Sequence, residues 1–354
     1  MERKITLLLL SILAVAIVAP LSGCVSEEGQ KTPSPTTQTT PTPQLSPITI
    51  RIKSGPTGTT WYAQASAIAG ILSREIPGSS ATVETGSAIS NIVLVEEGKT
   101  DVAFTFICLL PAATRGEIIS GDYFKKPTEN VSVLLYTTRA AYVLITTADK
   151  GWSTVEDIKG KSIRYVTYPP GFVARYMTDE ILQAHGITLK DIESWGGNII
   201  VVNRYDDAVD LLAKGQADVI AYTAATFGQS PALVELEAQK KFVFLEPTEA
   251  GIQKIVSKFP VLIETVKPGL YKSITKETKV VNDITVYLVP KDLPEDVAYT
   301  LTKLIVEHRN EIASVQAEFG VLTPKDFLSG YGKPGQPPLH PGAVKYFKEI
   351  GVLK

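Results

Sequence analysis

The sequence predicts an α/β protein made of two similar lobes joined by a two-strand hinge. Three observations carry that reading. Apolar residues alternate with period two and then switch to helical spacing, again and again, so strands and helices alternate along the chain. One βαβ unit occurs twice: Val95-Glu96-Glu97-Gly98-Lys99-Thr100-Asp101-Val102 is echoed by Leu212-Ala213-Lys214-Gly215-Gln216-Ala217-Asp218-Val219. Each copy is a helix end, a glycine, an aspartate and an apolar strand, and each follows a β run (residues 81–84 and 199–202). Finally, two β-rich stretches, residues 131–147 and 282–290, are suited to cross from the first lobe to the second and back.

At 354 residues the chain is longer than a usual single domain, which also favours two lobes. Its 44% hydrophobic content and formal charge of −2 are those of an ordinary globular protein and point to no nucleic-acid partner.

The first 23 residues read as a secretory signal. Arg3 and Lys4 lead an apolar stretch that ends in Leu21-Ser22-Gly23-Cys24. Residues 24–47 are a linker rich in proline, threonine and serine, whose one apolar residue after Ser26 is Leu45. Such a segment cannot bury enough surface to fold and makes an extended spacer. Asn130-Val131-Ser132 matches the N-glycosylation sequon. Besides Cys24 the chain has only Cys108, which reads as a small core residue without a disulfide partner.

The fold begins with the alternation Ile48, Ile50, Ile52, followed by Gly55-Pro56-Thr57-Gly58-Thr59-Thr60-Trp61-Tyr62. Trp61, Ala65, Ile68 and Leu72 then share one helical face. A glycine turn from strand into helix leaves main-chain N–H groups open at the positive end of the helix dipole, which suits a carboxylate or a phosphate. A plain βα connection would use the same residues. A second strand ends at Thr85-Gly86-Ser87, with Ser87 placed as an N-cap and Ala88, Ile92 and Val95 on one face of the next helix. Gly98 suits the left-handed position after it, and Val102 opens a buried parallel strand. Asp101 and Asp218 are expected to hold the helix–strand turns through bonds to main-chain N–H groups.

In the second lobe, Ser153 and Glu156 are spaced as a capping box. The strand at residues 163–168 runs into Pro169-Pro170-Gly171 and a helix with Val173, Met177 and Ile181 inward, a second candidate anion cradle. Pro294 fits the first position of a helix running to about Ile312. The lobes are thus expected at residues 48–140 with 284–354, and at 141–283.

With these elements in place, the chain resembles a known family. Gly55-Pro56-Thr57-Gly58-Thr59-Thr60-Trp61-Tyr62, then Gly86-Ser87 with Asn91, then Gly98 with Asp101, is similar in order to the TAXI-family solute receptors of tripartite ATP-independent periplasmic (TRAP) transporters. Lys267-Pro268-Gly269-Leu270-Tyr271 and the C-terminal Leu339-His340-Pro341-Gly342 resemble further landmarks of that family. Leu21-Ser22-Gly23-Cys24 closely resembles a lipobox, which implies a lipid on Cys24 and a tether to the outer face of the cytoplasmic membrane. The resemblance implies a type II periplasmic-binding-protein fold, capture of a small organic anion (glutamate-like or a dicarboxylate) and delivery to a TRAP permease. Thr59 and Pro169-Pro170-Gly171-Phe172 depart from the family's usual turns.

The candidate ligand contacts are Thr57, Gly58, Thr59, Thr60, Tyr62, Ser87 and Asn91 in the first lobe. In the second they are Tyr168, Gly171, Phe172, Arg175, Thr223 and Thr226, the last two near the carboxyl end of a strand. Asn91 has the alternative of bracing its loop, and Arg175 reads more readily as a solvated arginine. The histidines His185, His308 and His340 are scattered, and His340 reads as structural, so neither a metal nor another cofactor nor an enzyme is expected. A monomer is expected. A receptor for an ATP-driven importer or a membrane sensor would use the same lobes, as would an enzyme with a nucleophile or base in the cleft.

Overall fold

The structure is a computed structural model that describes residues 46–57, 59–119 and 121–354. The signal segment, Cys24, nearly all of the spacer, and Gly58 therefore lie outside the described residues.

The first strands are β1 (Thr49–Lys53), β2 (Ser80–Glu84) and β3 (Val102–Phe106), parallel in the order β2-β1-β3. The helices α1 (Thr60–Glu75) and α2 (Ala88–Glu96) connect them, and α3 (Leu110–Arg115) follows. The chain then crosses in β4 (Val131–Thr147), 17 residues long. Beyond it come β5 (Arg164–Thr167), α4 (Val173–Ala184), α5 (Leu189–Ser194), β6 (Asn198–Val201), α6 (Tyr205–Ala213) and β7 (Val219–Ala224). These strands are parallel in the order β6-β5-β7, which repeats the arrangement of β2-β1-β3.

After α7 (Pro231–Gln239), β8 (Phe242–Phe244), α8 (Glu249–Lys258) and β9 (Leu262–Val266), the chain returns in β10 (Thr278–Pro290). It ends with α9 (Glu295–Glu307), α10 (Arg309–Ile312) and α11 (Pro341–Glu349). Antiparallel pairing of β10 with β3 and β4, and of β4 with β7, makes one ten-stranded sheet ordered β2-β1-β3-β10-β4-β7-β5-β6, with β8 on β4 and β9 on β10.

The sequence repeat is thus a structural repeat, pinned by the same ion pair in each copy. Asp101 Oδ2 accepts the Arg51 main-chain N–H at 2.7 Å and its Nε–H at 3.0 Å, while Arg51 Nη2 donates to Gly98 O at 3.2 Å. Asp218 Oδ2 accepts the Arg164 N–H at 2.8 Å and Nε–H at 2.9 Å, and Arg164 Nη1 donates to Gly215 O at 2.7 Å. Both aspartates reach across to the neighbouring strand instead of bonding within their own turn. Both glycines have φ near +65°, where a side chain would be strained (64° and 68°).

The core has two parts. One lies under α1, α9 and α11 and holds Ile52, Leu72, Phe104, Tyr287, Leu301 and Phe347. The other runs without a break from Ile89 and Cys108 through Tyr142 to Tyr165, Leu182 and Ile220. The lobes are therefore halves of one packed body, and the described residues form a single compact unit. No helix among the described residues is long and apolar enough to cross a membrane.

Three local expectations are corrected. The capping box is Thr154 with Asp157, one residue later than Ser153 and Glu156, because Asp157 Oδ2 collects the N–H groups of both Ser153 and Thr154 (2.8 Å each). Pro294 is the N-cap of α9 and not its first helical residue, while the helix begins at Glu295 as expected. The long final helix breaks at His308, whose φ of −92° and ψ of 16° leave the helical region and separate α9 from α10.

Candidate functional site

In the first lobe the carboxyl ends of β1 and β2 are tied together: Ser54 N–H and Oγ–H both donate to Glu84 O, at 3.0 and 3.1 Å. The chain then turns through Gly55-Pro56 into α1. Thr59 is the N-cap; its hydroxyl donates to Pro56 O at 2.7 Å and accepts the Tyr62 N–H at 3.4 Å. Thr57 and Thr60 are exposed and Tyr62 is half-buried. The Tyr62 and Ala63 N–H groups are taken up by the Thr59 hydroxyl and carbonyl, which leaves the Thr60 and Trp61 amides at the helix start with no carbonyl four residues back to bond. Trp61 turns inward against Phe106 (ring centroids 4.7 Å apart), and its Nε1–H donates to Thr285 Oγ1 of β10 at 3.3 Å. The start of α1 is thereby fixed to a hinge strand.

Ser87 is the N-cap of α2, sharing hydroxyl contact with Ser90 at 2.8 Å. Asn91 lies beneath, fully buried, with Nδ2 donating to Ser54 O and Phe104 O, both at 2.8 Å. The structure gives it the bracing role: its side chain bonds β3 and the residue that follows β1. Gly86 is required there, since a Cβ would meet Asn91 Oδ1 at 2.1 Å.

The second lobe builds its turn with aromatic rings. Tyr168 is fully buried, its hydroxyl donating to Ala221 O at 2.9 Å. Phe172 stacks on it at 5.3 Å, and Tyr205 meets it edge-on at 4.9 Å and donates to Thr223 Oγ1 at 3.2 Å. Gly171, at φ 98°, lies with its Cβ direction 3.4 Å from the Tyr123 hydroxyl of the other lobe. Phe172 is the N-cap of α4 and offers no side-chain cap to its amides. Arg175 is half-buried, not solvated: Nη1 donates to Tyr168 O at 2.9 Å and Nε pairs with Asp179 at 3.4 Å. A cavity of about 220 Å³ opens here between Gly121 of the first lobe and Pro170, Arg175, Tyr176 and Asp179 of the second. Burial pushes the Asp179 carboxyl up to about 6, against the pull of Arg175.

The structure thus gathers Thr57, Thr59, Thr60, Tyr62 and Ser87 at one end of the first lobe, and Phe172, Arg175 and Thr223 around the turn of the second. Thr226 goes elsewhere. Its hydroxyl accepts Asn282 Nδ2–H at 3.0 Å and lines a different cavity, of about 190 Å³, with Arg139, Glu264 and Glu318.

One functional-looking group escaped the sequence reading, and it lies beside Cys108, which is the core residue expected. Asp283 is fully buried on β10; Oδ2 accepts the Tyr142 hydroxyl at 2.7 Å, Oδ1 accepts the Ile284 N–H at 2.8 Å, and burial pushes the carboxyl up to about 6. Cys108 Sγ lies 3.8 Å from the same hydroxyl, and burial holds its thiol well above the usual value. That thiol is a core group and no nucleophile. The only hint in the sequence was a charge (Arg139, Asp283) inside each apolar crossing run.

Two lobes with the same 2-1-3 strand order, joined by β4 and β10 with the candidate turns at strand ends, define a type II periplasmic-binding-protein fold. The chain belongs to the NMT1-like family, whose model matches residues 52–351. Among solved structures it is similar to one described as a periplasmic transporter, at 15% identity over 86% of this chain and 92% of that one, with TM-score 0.46. It is similar also to the periplasmic aliphatic sulphonate binding protein SsuA from Escherichia coli (13%, 86% and 91%, TM-score 0.41). A third is the effector binding domain of a BenM variant (13%, 76% and 96%, TM-score 0.44).

Proposed function

We propose that this chain is an extracytoplasmic solute-binding protein that captures a small organic anion between its lobes and hands it to a membrane transporter. The observation that carries the reading is the repeated turn. Each lobe ends a parallel strand in a glycine-bearing turn that opens a helix, α1 in one and α4 in the other, and strands β4 and β10 cross between the two lobes. Helix starts of this kind bind carboxylates through main-chain N–H groups, and lobes on a strand hinge close around what they bind. The contacts proposed are Thr57, Gly58, Thr59, Thr60, Tyr62 and Ser87 from residues 48–140 and 284–354, with Gly171, Phe172, Arg175 and Thr223 from residues 141–283.

The order of motifs supports the finer reading, a TAXI-type receptor lipidated on Cys24 and serving a TRAP permease, with a glutamate-like amino acid or a dicarboxylate as ligand. The test is native mass spectrometry of what co-purifies with the protein, together with thermal-shift screening of L-glutamate, succinate and related anions. A true ligand raises the melting temperature with concentration, because it binds the folded chain alone. No shift with any small anion would sink the proposal.

A further inference from the structure

We propose that His185 is an acid-sensitive clasp: a proton added to its ring parts the start of α8 from the end of α4 and loosens the second lobe. The two partners of the ring fix its chemistry. Nδ1 lies 2.7 Å from Ile181 O, one turn back in α4, and Nε2 lies 2.9 Å from the main-chain N of Thr248, the N-cap of α8. A ring nitrogen beside a carbonyl must carry the proton, and one beside an N–H must offer its lone pair. His185 is therefore held as the neutral Nδ1–H form.

A second proton has no place in this arrangement. On Nε2 it would face the Thr248 N–H, donor against donor, and His185 is only 4% exposed, so solvent does not relieve the pair. Nor can the ring settle deeper, because it lies against Gly251, where even a Cβ would run into Cε1 and Nε2. The charged groups around it are Glu156 and Lys159, from the turn Val155–Ile158 and the residue after it, and Lys254 from α8. Among the described residues none of the three hydrogen-bonds the ring; Lys254 gives its ammonium to Ala184 O at 2.9 Å. Burial holds the imidazole below its ordinary pKa, against the pull of the Ile181 carbonyl. The closed clasp thus binds a proton more weakly than the opened one. Its contribution is full above the ordinary histidine value and is lost as pH falls toward the folded value.

The other ties between the two helices decide what gives way. Besides the Lys254 bond, Lys258 Nζ bonds both Glu180 oxygens at 2.7 and 2.8 Å, and Tyr176 meets Phe259 edge-on at 5.9 Å. None of these needs a neutral histidine, so α8 stays docked through its later turns while its first turn swings out. Ahead of it, the Leu245 and Glu246 N–H groups are held by Leu144 O and Ser153 O, at 2.8 and 2.9 Å, which confines the movement to Pro247 onward. On the function proposed above, α4 carries a ligand turn at its other end, and the clasp puts that turn under the influence of external pH.

The experiment needs no ligand, so its outcome is independent of that function. In the full chain, the imidazole nitrogens are followed by NMR and the main-chain amides by hydrogen exchange, from pH 7.5 to pH 5. His185→Gln identifies the His185 signals among three histidines and offers Thr248 an acceptor that does not titrate. At pH 7.5 the wild-type Nε2 is expected to be unprotonated, with the ring titrating below the value of the denatured chain. Protection of the Thr248, Gly251 and Ile252 amides, corrected for intrinsic rates, should fall about tenfold or more by pH 5, while that of Ile50 and Ile52 in β1 holds. In His185→Gln the fall should be absent. A proton on Nε2 at pH 7.5, a ring that titrates at the denatured value, or unchanged protection at the start of α8 would overturn the proposal from the wild type alone, even if the variant fails to fold. An equal loss in β1, or an equal loss in a folded His185→Gln, would overturn it as well.

Discussion

Asp218 and Asp101 occupy equivalent places in the two copies of the repeat, but their surroundings differ. The Asp218 side chain is 9% exposed and holds two cations, Arg164 and Lys150, the latter at 2.6 Å; the Asp101 side chain is 26% exposed and holds Arg51 alone. The hydrogen bonds from Arg164 keep the Asp218 carboxyl far below the usual carboxylate range. Its stabilisation is therefore full above the ordinary carboxylate pKa and drains away as pH falls toward the folded value. Asp218→Asn should cost about 3 kcal/mol at neutral pH, because it leaves two cations facing each other, and Asp101→Asn about 1 kcal/mol. Urea denaturation of both variants checks the ranking, and equal losses would contradict it. Glu318 has the opposite sign. Burial raises its carboxyl from 4.5 to about 7, so the folded state holds a proton that the unfolded chain has already lost, and stability declines as pH rises through that window. Glu318→Gln should be more stable than wild type at pH 8 by on the order of 1–2 kcal/mol and no more stable at pH 4. A difference that does not vary with pH would refute this.

At the scale of elements, what could be read from the sequence was what local chemistry decides. The strand–turn–helix of β1 and α1 follows from alternation, glycine and the Thr59 cap, and the repeat follows from Gly98/Asp101 and Gly215/Asp218, because each needs only a few adjacent residues. What could not be read depends on partners far away in the chain. Asn91 is buried because it bonds the Ser54 carbonyl just past the end of β1 and the Phe104 carbonyl in the middle of β3; the Tyr168 hydroxyl finds its acceptor at Ala221, 53 residues on. The hinge cavity draws Arg139, Thr226, Glu264 and Glu318 from four separate segments, and no spacing announces it. The turn itself can be tested as an element. Gly86→Ala sets a Cβ at 2.1 Å from Asn91 Oδ1 and 3.0 Å from Ser54 O, both held from several sides. The brace must shift, at a cost of about 1–3 kcal/mol, and the Thr57–Tyr62 turn above it loses its setting. Binding of the anion should then weaken more than tenfold; unchanged affinity would show that Asn91 does not position that turn.

For the whole molecule, the repeat implies two lobes while the packing implies one cooperative body, and these lead to different unfolding behaviour. Strands β4 and β10 belong to both lobes: β10 pairs with β3 on one side and β4 on the other, and β4 pairs in turn with β7. One core runs from Ile89 in the first lobe to Ile220 in the second, through Tyr142 on the crossing strand. Unfolding one lobe alone would strip those strands of their partners and expose the shared core, so the half-folded state is penalised on both counts. Chains of this size often unfold in steps, and a single transition is a discriminating outcome. The three tryptophans provide the reporters: Trp61 sits in the first lobe, Trp152 and Trp195 in the second. Trp152→Phe with Trp195→Phe leaves only the first lobe visible by fluorescence, and Trp61→Phe leaves only the second. Urea midpoints from the two forms, each compared with its own circular-dichroism curve, should coincide. An anion bound between the lobes should raise both midpoints together, since it stabilises only the state in which both turns are in place. Separate midpoints, or a ligand that moves just one of them, would mean that the shared sheet does not couple the lobes.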